Sequence, residues 1–468
     1  MMFASYVSPV NVLRGECSLR EWARLQRQVS GLYRAWRARI ASAANKVAAG
    51  SPLPAADVWA NAGSRHAAGK GLPAATARPA DAPPRRLLVV PCDPWSVAGS
   101  RGDEAMIVAA SGCLNRRYPG LEMAVLTADS VGSAAARQMG LRPFEVWRGT
   151  HLLDSVFATV EEFDPDLAVV AGGDVMDGYY SPYVSLALLA TADLLARRGT
   201  RTSLLGFSCN ARPASCLRAA YGLLDSRLRL NVRDPVSWAR LRRFVPGSGR
   251  LVADIAFLLK PDPGFTGYDE TAAWVAGRKA KGDRVLAVNV HPMLIRQAQS
   301  AQIETLAATV AEALAGLIAS RPVSFLLLPH DYREQVGDRH CLEPMQARLA
   351  VAHPERVRYV SSEHSAAQLK ALVGLADGLV GSRMHLVIAA LGMGVPVAAF
   401  AYQGKFEGLF QHFELPDWLF CEPPLTAVRA PQLTAFLDRF TGALDTLRPQ
   451  VAARLPGVRT LAELNVEL

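Results

Sequence analysis

Residues 380–405 read VGSRMHLVIAALGMGVPVAAFAYQGK. A short apolar strand ends at Gly381, a helix begins at Arg383, and a second apolar strand runs from Val395 to Ala401. An apolar strand, a helix and another apolar strand in this order are typical of the repeating unit of a parallel sheet. The stretch therefore predicts an α/β fold built from such units.

The same stretch carries polar side chains at the ends of its predicted elements. Ser382, Arg383 and His385 lie where the helix begins, and Tyr402 and Lys405 follow the second strand. A helix N-terminus offers unpaired N–H groups and a positive dipole end, which favour an anion. Arg can hold a carboxylate or phosphate through two hydrogen bonds, and His can move a proton near neutral pH. The pattern predicts a site for a small multivalent anion that must be protonated.

Strand and helix patterns alternate over most of the chain. Strands are predicted at residues 86–91, 123–127, 167–171, 203–207 and 229–232, and again at 284–290, 323–329, 357–360, 378–381 and 395–401. Pro261-Asp262-Pro263-Gly264 separates the two sets. We therefore predict two doubly wound, Rossmann-like parallel-sheet domains, 85–262 and 263–468, after an N-terminal helical extension and linker (1–84). Ligands of such domains bind at the carboxyl ends of the strands.

Positive charge is concentrated near the N-terminus. Residues 1–86 carry all of the net charge of +9, so the remainder is neutral and lacks the basic field of a nucleic-acid-binding protein. Residues 18–49 predict a helix with an apolar seam and arginines on its other faces. This helix either docks on the protein body or a second copy, or it lies on an anionic membrane surface. Residues 50–84 are rich in Ala, Pro and Gly and predict a flexible linker.

Cysteine usage and hydropathy indicate the compartment. The seven cysteines are scattered and form no C-x-x-C pair, which argues against a disulfide framework or a zinc site and for a reducing environment. The N-terminus lacks the pattern of a signal peptide. The longest apolar run, Leu386 to Tyr402, contains Gly392, Gly394 and Pro396, so we interpret it as a buried helix and strand. We expect a cytoplasmic protein with, at most, peripheral contact at the inner membrane face.

Two segments of the first predicted domain carry candidate binding residues. Asp103 follows the first strand within Gly99-Ser100-Arg101-Gly102-Asp103-Glu104, where it either contacts a ligand or caps the next helix. Gly172 and Gly173 end another strand, and glycines there let a ligand lie against the backbone. Asp174 comes next and either acts as a base on an acceptor hydroxyl or stabilises the turn.

Two further segments lie at predicted strand ends. Arg233 is followed by Asp234-Pro235, a helix start, so its side chain either faces the ligand site or forms a surface ion pair. His330-Asp331, with Asp338 and His340, matches no compact metal-binding spacing. A helix cap or a contact on the donor side is the preferred interpretation, and no metal site is predicted.

Taken in order, these segments resemble the polysaccharide pyruvyl transferase family over about residues 86–415. The motifs that carry the resemblance are Gly102-Asp103-Glu104-Ala105, Gly172-Gly173, Arg233-Asp234-x-x-Ser237, Ala253-Asp254-x-Ala256-Phe257 and the stretch 381–408. Each motif is short and not specific alone, but their order and the long final stretch make the match specific.

The resemblance implies a two-domain fold similar to the glycosyltransferase B class. It also implies transfer of pyruvate from phosphoenolpyruvate to sugar hydroxyls, often as a ketal, with no cofactor besides this co-substrate. His385, Arg233 and Lys405 would be the catalytic residues of the donor site. The other predicted substrate-binding residues are Arg383, Ser382, Tyr402, Gly172, Gly173, Asp174 and Asp103. A sugar or lipid-linked glycan would be the acceptor, and a homo-oligomer is compatible with the N-terminal helix.

The chemistry of the residues suits this donor. Its carboxylate and phosphate need two or more cations, which Arg233, Arg383 and Lys405 would supply, and His385 would protonate the enol carbon. One alternative is a glycosyltransferase that uses a nucleotide-sugar, although no acidic ribose contact is evident at Gly381–Arg383. Another is a non-catalytic anion-binding or scaffolding protein.

Overall fold

The computed structural model describes residues 23–24, 27–37, 82–146, 152–295, 298–401, 404–421 and 429–468. These residues form two compact units, each with its own sheet. The first unit comprises the described residues up to Val97, together with Ala110–Val252 and Leu464–Leu468. The second comprises Ala98–Ala109 and Ala253–Glu463.

The first unit contains a seven-stranded parallel sheet in the order β3-β2-β1-β4-β5-β6-β7. The strands are β1 (Arg86–Val90), β2 (Glu122–Thr127), β3 (Arg142–Glu145), β4 (Leu167–Val170), β5 (Arg201–Phe207), β6 (Arg229–Val232) and β7 (Arg250–Leu251). The central strands are apolar and fully buried because helices cover both faces of a parallel sheet. The order in which strands are added reverses between β1 and β4: β2 and β3 follow on one side of β1, and β4 to β7 follow on the other.

Six helices accompany these strands along the chain. They are α1 (Arg101–Arg117), α2 (Ser130–Gln138), α3 (Leu152–Phe163), α4 (Pro182–Arg198), α5 (Cys216–Tyr221) and α6 (Pro235–Phe244). Side chains of Asp129, Ser181 and Asp234 cap α2, α4 and α6 by accepting hydrogen bonds from their first turns. The first part of α1, to Ala109, packs with the second unit.

The second unit contains a six-stranded parallel sheet in the order β10-β9-β8-β11-β12-β13. Its strands are β8 (Arg284–Val288), β9 (Val323–Leu327), β10 (Val357–Tyr359), β11 (Gly378–Gly381), β12 (Val397–Phe400) and β13 (Phe420–Cys421). The order in which strands are added reverses between β8 and β11: β9 and β10 follow on one side of β8, and β11 to β13 follow on the other. Ligands of doubly wound sheets bind beside the carboxyl ends of the strands at such a reversal.

Seven helices belong to this part of the chain. They are α7 (Tyr268–Ala280), α8 (Ser300–Ser320), α9 (Arg339–Ala352), α10 (Ala366–Val373), α11 (Met384–Gly392), α12 (Phe406–His412) and α13 (Ala430–Glu463). The 3-10 helices are Ile255–Leu258, Pro292–Leu294, Asp417–Leu419 and Leu464–Val466. The apolar run 386–402 forms α11 and β12 as far as it is described. Of the described helices, α8 is apolar and long enough to cross a membrane, but half of its apolar window is buried inside the protein.

The predicted fold class of two doubly wound parallel-sheet domains is confirmed. Strands β3, β7 and β13 and several helices, including the long α13, were not predicted. The units also differ from the predicted domain limits. The chain changes unit between Val252 and Ala253, ahead of Pro261–Gly264. The difference arises because unit membership depends on contacts through space, whereas the prediction used only local Pro and Gly content.

The C-terminal segment also belongs to a unit through its contacts in space rather than its place in the chain. Asn465 is fully buried in the first unit, where its Oδ1 accepts a hydrogen bond from the Gly206 amide at 2.7 Å. Its carbonyl accepts a second bond from the Ser203 hydroxyl at 2.8 Å. These bonds satisfy polar groups of β5, so the last residues belong to the first unit although the preceding helix belongs to the second.

Residues 27–37 form a helix within the predicted helical stretch 18–49, most of which lies outside the described residues. Trp36 and Val29 are buried, and the indole Nε1 of Trp36 donates a hydrogen bond to Asp193 Oδ2 at 2.8 Å. Asp193 lies on α4 and also pairs with Arg197. The described part of the helix therefore docks its apolar side on the first unit.

Candidate functional site

The candidate site begins at the carboxyl end of β11, where the sheet of the second unit reverses direction. Ser382 Oγ and the Arg383 amide both donate to Asn289 Oδ1 at 3.0 Å. Asn289 follows β8, the neighbouring strand, and its Nδ2 donates to the Leu328 carbonyl after β9 at 2.9 Å. One buried amide thus fixes the loops after three adjacent strands. Sequence analysis missed Asn289 because strand order cannot be read from a single Asn after a strand.

Arg383 is held by two buried carboxylates. Its Nε lies 2.8 Å from Asp338 Oδ1, its Nη1 lies 3.2 Å from Asp331 Oδ2, and its Nη2 donates to the Val336 carbonyl at 2.8 Å. Burial raises the pKa of Asp338, and the Arg383 charge opposes that rise only in part. Burial also acts on Asp331, but Arg383 and Arg333 outweigh it and lower the pKa of that carboxyl. Arg383 therefore anchors the loop 331–338, and its role as an anion ligand stays a prediction.

His385 lies in the first turn of α11 with its ring mostly enclosed. Its Nε2 is 3.5 Å from Oδ2 of Asp254, whose side chain is only 2% exposed. On the other side the ring lies against Gly102, near the start of α1. A Cβ at position 102 would come within 2.3 Å of His385 Nδ1. The glycine of the Gly102-Asp103-Glu104 motif is therefore constrained by space, since any side chain there would displace the imidazole.

Two further buried histidines, His291 and His330, lie in the same unit as His385. His291 is fully buried, and its Nε2 donates to the Ser382 carbonyl at 3.1 Å. Burial lowers the pKa of His291 well below its ordinary value, and the charges of Arg383 and Lys405 lower it further. Burial, and then the positive charge of His385, lower the pKa of His330 in the same way. Both histidines are thus neutral near pH 7, and the charge of Arg383 lowers the pKa of each.

Lys405 lies immediately before α12, and its side chain is buried. The positive charge of Lys405 helps to lower the pKa of His291. Tyr402 lies outside the described residues. Within the parts of the chain that the structure describes, no three His, Cys, Asp or Glu side chains are grouped to hold a metal ion.

Asp103 and Glu104 lie in the first turn of α1, where carboxylates favour the helix dipole. Glu104 Oε1 accepts a hydrogen bond from the Ala366 amide at 3.1 Å, so it caps α10 rather than its own helix. Glu104 also pairs with Arg101 at 3.0 Å. Burial raises the pKa of Glu104 despite this partner. The motif therefore joins the starts of two helices beside His385.

Gly172 and Gly173 lie at the end of β4 in the first unit. A Cβ at Gly172 would be 2.5 Å from the Leu205 carbonyl oxygen, so this glycine lets β4 run close to the backbone of β5. Gly173 has φ of +50° and its carbonyl accepts from the Ser208 amide at 2.8 Å. Asp174 Oδ2 accepts a hydrogen bond from the Tyr180 hydroxyl at 2.9 Å. The diglycine accommodates the neighbouring strand β5, and its approach to a ligand stays a prediction.

Arg233 follows β6 in the first unit and is 3% exposed, so its side chain is buried rather than at the surface. Its Nε donates to Ser208 Oγ at 2.7 Å. Asp234 caps α6 through the Ser237 amide at 2.7 Å, and Pro235 occupies the first helical position. The structure thus brings Ser382, Arg383, His385, Lys405 and Asp103 into the second unit, whereas Arg233, Gly172, Gly173 and Asp174 lie in the first.

Solved structures named as UDP-N-acetylglucosamine 2-epimerases have a similar fold. A Listeria monocytogenes protein assigned as a UDP-N-acetylglucosamine 2-epimerase has a TM-score of 0.54 at 10% identity, covering 81% of this chain and 93% of that one. The Neisseria meningitidis UDP-GlcNAc 2-epimerase bound to UDP-GlcNAc has a TM-score of 0.52 at 10% identity, covering 82% and 98%. These likenesses concern the fold alone, and they confirm its similarity to the glycosyltransferase B class.

Comparison by sequence is more specific. No curated protein matches the chain. The sequence profile of the family described as polysaccharide pyruvyl transferase matches residues 101–404, which is most of the chain. The matched range runs from the start of α1, through Arg233 and His385, to the residue before Lys405. The chain therefore belongs to the polysaccharide pyruvyl transferase family.

Proposed function

We propose that this protein transfers the pyruvyl group of phosphoenolpyruvate to hydroxyls of a sugar in a polysaccharide or glycan precursor, forming a pyruvate ketal. One observation carries the proposal. In a member of this family, a histidine lies in the first turn of α11, at the reversal of the second sheet, and a buried lysine and two neutral histidines lie in the same unit. Such an arrangement suits an anion that must accept a proton.

The anionic donor needs positive partners. Because the Arg383 guanidinium already pairs with Asp331 and Asp338, we assign the contacts with carboxylate and phosphate to Lys405 and to N–H groups at the start of α11. The family resemblance adds Arg233, whose planar guanidinium would bind an oxyanion through two hydrogen bonds. Neutral His291 and His330 add no charge of their own.

The proposed reaction begins with a proton. His385 gives a proton to C3 of the enol, which becomes a methyl group, and C2 becomes electrophilic. A sugar hydroxyl then adds to C2 and loses its proton to the imidazole. The C2–O bond to phosphate breaks, a second hydroxyl of the sugar adds to C2 to close the ketal, and its proton ends on the departing phosphate. One phosphoenolpyruvate and one diol thus yield one ketal and one hydrogen phosphate, without any change in total charge. A single positioned acid contributes about 10²–10⁴-fold to the rate.

The test is release of phosphate from phosphoenolpyruvate in the presence of glycan acceptors, together with a mass gain of one pyruvyl group on the acceptor. The variant His385→Ala should lose about 10²-fold or more of the rate while its melting temperature stays near the wild-type value. His353→Ala, which changes a histidine after α9, is the matched control and should keep full activity.

The competing function is glycosyl transfer from a nucleotide-sugar, since enzymes of similar fold use such ligands. Phosphoenolpyruvate and a set of UDP- and GDP-sugars would be compared by calorimetric titration of the full chain. Binding of phosphoenolpyruvate alone supports pyruvyl transfer. Binding of a nucleotide-sugar with no phosphoenolpyruvate-dependent product would contradict the proposal.

A further inference from the structure

We propose that Asp254 is the positioning residue of His385. Its carboxylate holds the imidazole with a proton on Nε2, which leaves Nδ1 as the ring atom that exchanges protons with the substrate. This inference rests on the proposed function for its catalytic meaning, but the arrangement of atoms can be tested without it.

The position of Asp254 is fixed by the backbone that follows it. Asp254 precedes the 3-10 helix Ile255–Leu258, and its Oδ1 accepts a hydrogen bond from the Ala256 amide at 2.9 Å. One carboxylate oxygen is therefore committed to capping this turn. The other, Oδ2, is the atom that lies 3.5 Å from His385 Nε2.

Contacts from Lys370 and Phe413 hold the 3-10 helix in place. Lys370 Nζ, on α10, donates to the Phe257 carbonyl at 3.0 Å and approaches the Ala256 carbonyl at 3.4 Å. Phe257 is buried and packs against Phe413, with ring centroids 5.7 Å apart. The carboxylate of Asp254 therefore sits on a well-supported turn and cannot retreat from the imidazole without breaking these contacts.

The imidazole is confined in turn. The ring packs against Gly102, where a Cβ would lie only 2.3 Å from Nδ1. Nε2 is buried and has no protein hydrogen bond of normal geometry. A buried N–H without a partner costs about 1–3 kcal/mol, so the nearby Oδ2 is where a proton on Nε2 is stabilised. We expect the contact to shorten to about 2.8 Å when the imidazole is charged.

The chemical consequence concerns the opposite ring nitrogen. A carboxylate beside Nε2 favours the neutral tautomer protonated there, and it stabilises the imidazolium that carries a second proton on Nδ1. The Nδ1 proton is then available for C3 of the enol, and the Nδ1 lone pair can later accept the hydroxyl proton. The proton on Nε2 stays in place throughout, so Asp254 orients the ring and does not itself exchange a proton with the substrate.

The experiment uses the full chain labelled with ¹⁵N at histidine. The spectrum of His385→Asn identifies the His385 signals by their absence. At pH 8 without substrate, wild-type His385 should show the tautomer protonated at Nε2. In Asp254→Asn, the population should shift toward the tautomer protonated at Nδ1, since the neutral amide no longer favours a proton on Nε2. The same variant should lose about 10–100-fold in kcat, with KM for phosphoenolpyruvate changed far less.

Asp262→Asn is the matched control. Asp262 also accepts a hydrogen bond from an amide two residues ahead, that of Gly264 at 2.9 Å, but it is exposed. This variant should leave both the tautomer and kcat unchanged. A wild-type His385 protonated at Nδ1 would overturn the inference, and that measurement needs no variant to fold. The tautomer is read without substrate, so a failure of pyruvyl transfer would leave the result on Asp254 intact, and the reverse also holds.

Discussion

The imidazole of His385 occupies the space that a side chain at position 102 would need, so the smallest residue of α1 helps to shape the candidate site. The motif Gly-Asp-Glu was visible in the sequence, and so was the His of the first turn of α11. That they touch was not predictable, since 283 positions of chain separate them and only packing within the second unit brings them together.

Replacement of Gly102 by Ala tests this contact. The new Cβ would lie 2.3 Å from Nδ1, so the ring must move, and a displacement of about 1 Å at a catalytic group can cost about 10²-fold in rate. We expect kcat to fall by that order, measured by phosphate release. The melting temperature should change little, because Ala is the better helix former.

The control for this substitution lies on the same helix. A Cβ at Gly112 would meet only the Arg116 guanidinium, at 3.6 Å, which is ordinary contact. Gly112→Ala should therefore keep full activity and gain about 1 kcal/mol in the free energy of unfolding. Equal activity of the two Ala variants would show that His385 does not depend on the space at Gly102.

At the level of elements, α10 supports the turn that carries Asp254. Its Lys370 is buried, and its ammonium donates hydrogen bonds to the carbonyls of Ala256 and Phe257. Burial, together with the charge of Arg459, lowers the pKa of Lys370 to about 7. A lysine on a helix is ordinarily exposed, and nothing in its local sequence distinguishes this one, so only the packing of α10 against the 3-10 helix identifies it.

This depressed pKa makes a pH-dependent contribution to stability. Between pH 7 and the ordinary lysine value near 10.5, the unfolded chain binds a proton that the folded protein releases, so stability must rise with pH in that window. Relative to Lys370→Met, wild type should gain about 2 kcal/mol in the free energy of unfolding between pH 7 and pH 9. Urea unfolding at both pH values measures the difference.

The buried thiols with raised pKa values, Cys209 and Cys341, act in the opposite direction over the same range. They are present in both proteins, so the difference between wild type and Lys370→Met isolates the lysine. Parallel curves for the two proteins would mean that Lys370 keeps its ordinary pKa when folded.

At the scale of the whole molecule, part of the N-terminal positive charge lies on the exposed side of the helix 27–37. Because Trp36 and Val29 dock on the first unit, the helix of residues 27–37 turns its arginines outward. The exposed basic residues of this helix are Arg27, Arg34 and Arg37. We propose that the protein works in the cytoplasm, on a lipid-linked acceptor, and touches the anionic inner membrane face through these arginines rather than through the apolar side of the helix.

Vesicle binding tests this contact. The full chain should bind vesicles that contain phosphatidylglycerol, and replacement of the three arginines by Gln should weaken binding by about 10²-fold, at roughly 1 kcal/mol each. Binding of wild type should also weaken as salt is added. The control replaces Arg218, Arg242 and Arg243, which are exposed on α5 and α6 and change the net charge equally. Equal loss in both triple variants, or no loss in either, would contradict the assignment.

The sequence by itself determined the alternation of strands and helices, the helix starts at Asp234 and Arg383, and the family, because these depend on local periodicity, capping and short motifs. The tertiary structure decided which polar groups meet. Arg383 pairs with Asp338, Asn289 joins three loops, and Asn465 completes the first unit, all through contacts between residues far apart in the chain. Such contacts follow from strand order and burial, which leave no signal in any single stretch of sequence.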